Sequence, residues 1–179
     1  QYMYRRVDEM YELISLKKSD RKKYLIQKVS KDFINIRDEY INIISELYHS
    51  RVINYFNSDY VLFLSTFSSP SDPESDSDLL EIINYTKKTL FNINKKFSNK
   101  EIYIKTHPRI PYRLKNYLLK DYPDNILPEE LNFFPAEVFF FDPKLIAVVG
   151  EMTSSLIYSS QLFNKKSYYI YPADKEHWS

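Results

Sequence analysis

Four short apolar runs, all in the chain from residue 59 onward, constrain the fold more than any other feature. They are DYVLFLS at 59–65, EIYIK at 101–105, KLIAVVG at 144–150 and SYYIY at 167–171. Nearly continuous apolar runs of this length are typical of strands that are covered on both faces. Segments with apolar residues at helical spacing separate them, so the predicted order is βαβαβαβ. We therefore predict an α/β, Rossmann-like domain over residues 58–179, with a parallel sheet and helices on both faces.

The connections between these runs carry their own start and stop signals. Helices are predicted over about 78–97, 111–120 and 153–163, with a brief helix after Pro135 and a short strand and turn at 124–132. Asp78 or Ser77 is expected to cap the first of these helices, because both residue types accept hydrogen bonds from free backbone N–H groups.

Residues 1–57 have a different character from the rest of the chain. They are rich in charge, and their apolar residues recur at helical spacing, which predicts two or three amphipathic helices. The basic run KKSDRKK at 17–23 is interpreted as a solvated turn between helices, with a peripheral contact to membrane headgroups as the alternative. We expect this segment to be a linker, a lid over a cleft or a homodimer contact.

Charge and composition exclude several classes of function. The 25 Lys and Arg residues nearly balance the 24 Asp and Glu residues, so nucleic acid is not an expected partner. The absence of Cys excludes disulfides and thiolate sites, and the three His residues lie far apart, so no metal site is expected. No apolar run is long enough to span a bilayer, and the chain is predicted to be soluble.

The chain contains a single glycine, Gly150. The glycine-rich phosphate loops of dinucleotide-binding and P-loop proteins need several glycines, because the backbone must approach the phosphate closely. Both types of loop are therefore excluded, and any bound nucleotide must be held in another way.

Polar residues follow the apolar runs at the points where the predicted strands end. The carboxyl ends of parallel strands meet at one edge of the sheet, where α/β proteins hold their ligands. The nucleotide-binding candidates at this edge are Ser65, Thr66, Lys105, Thr106, His107, Pro108, Arg109, Glu151, Thr153, Ser154 and Ser155.

The segment GEMTSS at 150–155 leads from a predicted strand into a predicted helix. A helix N-terminus carries free N–H donors and a partial positive charge, and it suits a phosphate group without any glycine loop. Ordinary helix capping is the alternative role for Thr153, Ser154 and Ser155, although one hydroxyl would be enough for it.

Three motifs occur in a characteristic order: KTHPR at 105–109, FPAE at 134–137 and VVGEMTSS at 148–155. Together they resemble the bacterial lipooligosaccharide sialyltransferases (glycosyltransferase family 52), to which the polysialyltransferases are related. The resemblance implies a GT-B glycosyltransferase, of which this chain would be the C-terminal, CMP-binding half. It also implies CMP-sialic acid as the donor substrate and a glycan acceptor, a galactoside or sialoside of the bacterial surface, with no further cofactor.

The resemblance assigns roles to individual residues. His107 would contact the donor phosphate, and Lys105 and Thr106 would lie beside the nucleotide. Glu137 would accept hydrogen bonds from the ribose hydroxyls, and the pair Ser154 and Ser155 would bind the phosphate. An inverting, metal-independent transfer is expected, since hydroxyls, an imidazole and a helix N-terminus can stabilise the departing phosphate.

The chain departs from the family pattern at the general base. The related enzymes carry two acidic residues followed by glycine, and with its only glycine at 150 this chain has no such motif. Either that domain lies outside this chain, or the base comes from the loop after the first strand. In that case Asp72, Glu74 and Asp76 are the catalytic candidates beside His107.

The residues are also compatible with two other functions. One is a CDP-glycerol-type glycerophosphotransferase, which shares KTHP and a later Ser-Ser pair. The other is a non-catalytic domain that keeps a nucleotide fold for interaction. The resemblance to the sialyltransferases implies that the enzyme would work at the cytoplasmic face of the bacterial inner membrane, in lipooligosaccharide or capsule biosynthesis.

Overall fold

The computed structural model describes residues 2–6, 38–65, 75–108, 110–150 and 153–172. Five strands form one sheet: β1 (Tyr2–Arg6), β2 (Tyr60–Ser65), β3 (Glu101–Thr106), β4 (Leu145–Gly150) and β5 (Ser167–Pro172). The four apolar runs are thus strands β2 to β5, as predicted.

The sheet order is β1-β5-β4-β2-β3. Strands β2, β3, β4 and β5 are mutually parallel, and β1 pairs antiparallel with β5 at one edge. The chain leaves β2 for β3 on one side and leaves β4 for β5 on the other. The order of the strands therefore reverses between the neighbouring strands β2 and β4. The carboxyl ends of these two strands form a topological switch point, the place where open α/β sheets bind ligands.

Helices cover both faces of the sheet, which confirms the predicted α/β, Rossmann-like class. We label them α1 (residues 38–51), α2 (Asp76–Lys96), α3 (Tyr112–Asp121), α4 (Glu129–Asn132), a 3-10 helix (Ala136–Phe141) and α5 (Ser154–Gln161). Within the described ranges, no helix combines the length and the apolar character that a membrane span requires.

Two apolar clusters lie on opposite faces of the sheet. One packs α2 and α3 against Val61, Phe63 and their neighbours. The other packs α1, the 3-10 helix and α5 against Leu62, Leu64 and their neighbours. Because side chains alternate between the faces of a strand, β2 contributes to both clusters, and all six of its residues are buried.

The N-terminal segment differs in part from the helices predicted for residues 1–57. Residues 38–51 are helical and pack on the sheet, but Tyr2–Arg6 is a strand that pairs with β5. Local apolar spacing cannot report this strand, because its partner lies at the far end of the sequence. The other predicted helices and the basic run at 17–23 lie outside the described residues, and the division at residue 57 stays a prediction.

Helix α2 begins two residues earlier than predicted, because another residue caps it. The Ser75 hydroxyl accepts a hydrogen bond from the Asp78 N–H, and the Asp78 carboxylate accepts one from the Ser75 N–H, both at 3.2 Å. This is a capping box, in which Asp78 is the third helical residue and neither Ser77 nor Asp78 is the N-cap.

The outer edge of β3 is covered by a short parallel bridge between Ile104 and Ile126. The Ile104 N–H donates to the Asn125 carbonyl at 2.6 Å, and the Leu127 N–H donates to the Ile104 carbonyl at 3.1 Å. The Asn125 side chain also donates to the Ile102 carbonyl at 2.8 Å. The short strand and turn predicted at 124–132 is thus a bridge followed by α4.

Gly150 ends β4 beside Leu64 of β2. A Cβ at this position would lie 3.0 Å from the Leu64 carbonyl oxygen and 3.1 Å from the Leu64 Cβ. The single glycine of the chain therefore allows β2 and β4 to approach closely at the switch point.

Candidate functional site

A cavity of about 570 Å³ opens at the carboxyl edge of the sheet, at the switch point between β2 and β4. Four short segments line it: residues 64–65, 105–108, 133–137 and 153–155. A volume in this range is typical of sites for small molecules and cofactors.

Ser65 ends β2 at the wall of the cavity. Its side chain is buried, and among the described residues its hydroxyl has no hydrogen-bond partner. A buried hydroxyl without a partner costs free energy, so such groups are exceptional and call for an explanation. A ligand in the cavity could supply the missing partner.

Helix α5 begins at the same cavity. The Thr153 hydroxyl caps it by accepting a hydrogen bond from the Leu156 N–H at 3.3 Å. The N–H groups of the first two helical residues, Ser154 and Ser155, have no carbonyl partner within the helix. These donors and the helix dipole create a site that favours a negative group.

Glu137 lies in the 3-10 helix with its carboxylate buried at the cavity wall. Its Oε1 accepts a hydrogen bond from the Ser155 hydroxyl at 2.7 Å. The hydroxyl of Ser155 is therefore engaged with Glu137 and holds that carboxylate in place, while Ser154 stays exposed to the cavity.

Helix α1 also reaches this part of the site, through Tyr40. Burial, and after it the charge of Glu137, raises the pKa of the Tyr40 hydroxyl above its usual range. The Tyr40 ring also lies edge-on to Tyr158 of α5, with centroids 6.5 Å apart. The N-terminal segment is thus part of the site's surroundings.

Lys105 places a buried amine at the cavity wall. Its Nζ donates to the Asn132 carbonyl at 2.6 Å and lies 5.9 Å from the centroid of the Phe139 ring. Burial lowers the pKa of the amine to about 8, and the charge of Glu137 opposes this shift.

Asn132, the last residue of α4, fixes the end of β3. Its Oδ1 accepts a hydrogen bond from the Thr106 N–H at 2.9 Å, and its Nδ2 donates to the Thr106 hydroxyl. With the Lys105 contact, this one residue holds both residues that precede His107. No sequence motif marks Asn132, since its partners lie 26 and 27 positions away.

Residues 75–171 match the family model described as alpha-2,8-polysialyltransferase, over just over half of the chain. The chain belongs to the alpha-2,8-polysialyltransferase family. This confirms the resemblance to bacterial sialyltransferases and supports sialyltransferase activity in general. No curated protein and no solved structure matches the chain significantly.

This member of the polysialyltransferase family brings most of the predicted nucleotide-binding residues to one cavity. Those that line it are Ser65, Lys105, Thr106, His107, Pro108, Glu137, Thr153, Ser154 and Ser155. Thr66, Arg109 and Glu151 lie outside the described residues, as do the catalytic candidates Asp72 and Glu74. Asp76 begins α2, where its carboxylate pairs with Arg113, and it does not line the cavity.

The buried amine of Lys105 predicts a pH dependence of stability. The amine titrates near pH 8 in the folded chain and near 10.5 in the unfolded chain, so the unfolded state binds more protons between these values. The free energy of unfolding should therefore rise with pH across this window, relative to a Lys105→Met variant. The expected change in this difference is on the order of 2–3 kcal/mol.

Urea unfolding of both proteins at several pH values between 8 and 10.5 measures this difference. Subtracting the two curves removes the titration of the tyrosines, which both proteins share. Lys100→Met, at an exposed lysine paired with Asp59, is the control for the removal of a lysine from the surface. A difference that stays constant with pH would contradict the prediction.

Proposed function

We propose that the cavity binds the CMP portion of CMP-sialic acid and that the chain transfers sialic acid to a glycan acceptor, a galactoside or sialoside of a bacterial surface glycan. The observation that carries this proposal is the convergence of three groups on one cavity: the Ser65 hydroxyl, which has no partner among the described residues, the α5 N-terminus and His107. These groups are suited to a phosphate, and family membership supports a nucleotide-sugar donor.

The phosphate would lie between the end of β2 and the start of α5. There it would receive hydrogen bonds from the Ser65 hydroxyl, from the N–H groups of Ser154 and Ser155 and from the Ser154 hydroxyl. Charge-assisted hydrogen bonds of this kind are about twice as strong as neutral ones. The charged form of Lys105 would add attraction at longer range.

The ribose would lie against Glu137. One carboxylate oxygen accepts from Ser155, and the other would accept from a ribose hydroxyl. The contact between Ser155 and Glu137 would thus join the phosphate and ribose positions in one rigid unit.

In the transfer step, the bond between the anomeric carbon of sialic acid and the phosphate oxygen breaks, and the electron pair leaves with CMP. The helix N-terminus, the hydroxyls and His107 would stabilise the charge that develops on the phosphate. His107 could donate a hydrogen bond or a proton to it. A carboxylate would remove the proton of the acceptor hydroxyl as the new bond forms, and Asp72 and Glu74 remain our candidates.

Isothermal titration of the chain with CMP, CDP and UMP, without added metal, tests the proposal. We expect CMP to bind more tightly than either competitor. Preference for CDP would favour a CDP-glycerol-type enzyme instead. If none of the three nucleotides binds at millimolar concentration, the result would favour a non-catalytic domain and would overturn the proposed function.

Replacing Ser65 with alanine should change stability and binding in opposite directions. Without ligand, the change removes a buried hydroxyl that has no partner among the described residues, so the free energy of unfolding should rise by about 1 kcal/mol. With CMP, it removes a hydrogen bond to a charged group, so affinity should fall about tenfold or more.

Thr89→Val is the matched control for Ser65→Ala. Thr89 lies on α2 with a buried hydroxyl that likewise has no partner among the described residues, but it does not line the cavity. We expect this variant to gain stability in urea unfolding and to keep its affinity for CMP. Equal CMP affinity in both variants would show that the Ser65 hydroxyl does not bind the ligand.

A further inference from the structure

Phe133 is the most exposed large apolar side chain among the described residues, with 86% of its surface accessible. It lies at the wall of the same cavity that contains Ser65, His107 and Glu137. The next aromatic residue, Phe134, packs against the core instead. A large aromatic side chain left in water gains no burial free energy, so an exposed ring at the wall of a ligand cavity calls for an explanation.

The backbone holds the Phe133 ring at this place. The Phe133 N–H donates to the Glu129 carbonyl at 3.1 Å, which closes α4. The preceding residue, Asn132, is bonded to both Lys105 and Thr106 at the end of β3. The ring is therefore presented from a segment that is fixed to the sheet, and its main remaining freedom is side-chain rotation.

The polar groups of the cavity leave one part of a nucleotide without a partner. Ser65 and the α5 N-terminus suit the phosphate, and Glu137 suits the ribose. The remaining wall, residues 133–136, is apolar and begins with the Phe133 ring. A nucleobase is the planar component of a nucleotide, and its faces are satisfied by stacking on an aromatic ring.

We propose that the Phe133 ring is a stacking platform for the pyrimidine base of the donor nucleotide. This inference rests on the proposed function, since it concerns the same cavity. Base stacking on an aromatic side chain is sequence-tolerant, so Phe133 would contribute affinity, while other groups would distinguish cytosine from uracil.

Calorimetric titration of variants with CMP tests the platform. Phe133→Ala should weaken CMP binding by about 5- to 150-fold, the range typical for loss of one base–aromatic stack. Phe133→Tyr should keep the wild-type affinity, and Phe133→Leu should lose most of it, because only an aromatic ring restores the stack. Phe91→Ala is the matched control: Phe91 is 69% exposed and lies on α2, away from this cavity, so CMP affinity should not change.

A Phe133→Trp variant gives a direct reading of the contact. CMP should quench the fluorescence of the introduced indole beyond the change seen in the wild type, which has only Trp178, while Phe91→Trp should show no added quenching.

The outcomes separate the platform from the proposed function. CMP binding that is unchanged in Phe133→Ala would overturn the platform and leave the proposed function standing. Full rescue of binding by Phe133→Leu would also overturn stacking. If the wild type does not bind CMP at all, the proposed function fails, and the platform fails with it.

Discussion

Replacing Phe139 with alanine is expected to lower the free energy of unfolding by about 3–5 kcal/mol, enough to unfold a marginally stable domain. Phe139 lies in the 3-10 helix, is fully buried, and meets the Phe56 ring edge-on at a centroid distance of 6.1 Å. The variant would leave a cavity beside the Lys105 amine, which lies 5.9 Å from the centroid of the Phe139 ring. Urea unfolding of both proteins measures the loss.

The loss of Phe139 should also change the titration of Lys105. Water that enters the space left by the ring would relieve the burial that depresses the pKa of the amine, so this pKa should rise towards its ordinary value. Phe133→Ala, at an exposed ring, is the control and should change stability by no more than about 0.5 kcal/mol. Similar losses in the two variants would contradict the packing assigned to Phe139.

Replacing His107 with alanine is expected to lower the rate of sialic acid release from CMP-sialic acid by about 10²- to 10³-fold. The imidazole would stabilise the departing phosphate, and that contribution is greatest in the transition state. Release can be measured as hydrolysis of the donor, which does not require the acceptor to be identified. CMP affinity should fall much less than the rate.

His49→Ala is the matched control for the histidine. His49 is exposed on α1, and its Nδ1 lies 2.8 Å from the Ser45 carbonyl. It does not line the cavity, so hydrolysis should proceed at the wild-type rate. A His107→Ala variant with the wild-type rate would remove the imidazole from the mechanism and leave the phosphate to the helix N-terminus and the hydroxyls.

The parts of the fold that could be predicted are those that local pattern determines. The strands β2 to β5 are buried on both faces and therefore appear as apolar runs, and the helices between them show regular periodicity. Their bounds differ from the prediction by one or two residues, since helix ends depend on details such as the Ser75 cap. The gathering of His107 and Ser154 at one cavity follows from the parallel order of the strands. Glu137 precedes β4 in the 3-10 helix, and only the family resemblance indicated it.

The features that escaped prediction depend on pairs of residues far apart in sequence. The strand Tyr2–Arg6 is defined by its pairing with β5, and Asn132 by its bonds to Lys105 and Thr106. The engagement of Ser155 with Glu137 is of the same kind, because a Ser-Ser pair at a helix start does not reveal which hydroxyl faces a ligand. Exposure of Phe133 in an aromatic-rich segment likewise depends on which way α4 turns.

The bridge at Ile126 has a consequence for how this domain meets other chains. A β3 edge with free N–H and carbonyl groups would be a template on which another strand could add, and such edges promote aggregation. Here the Ile102 carbonyl and both the N–H and the carbonyl of Ile104 are already taken by residues 125–127, and β1 occupies the edge of β5 at the other end of the parallel strands. This part of the β3 edge is thereby protected against the addition of a strand from another copy of the domain.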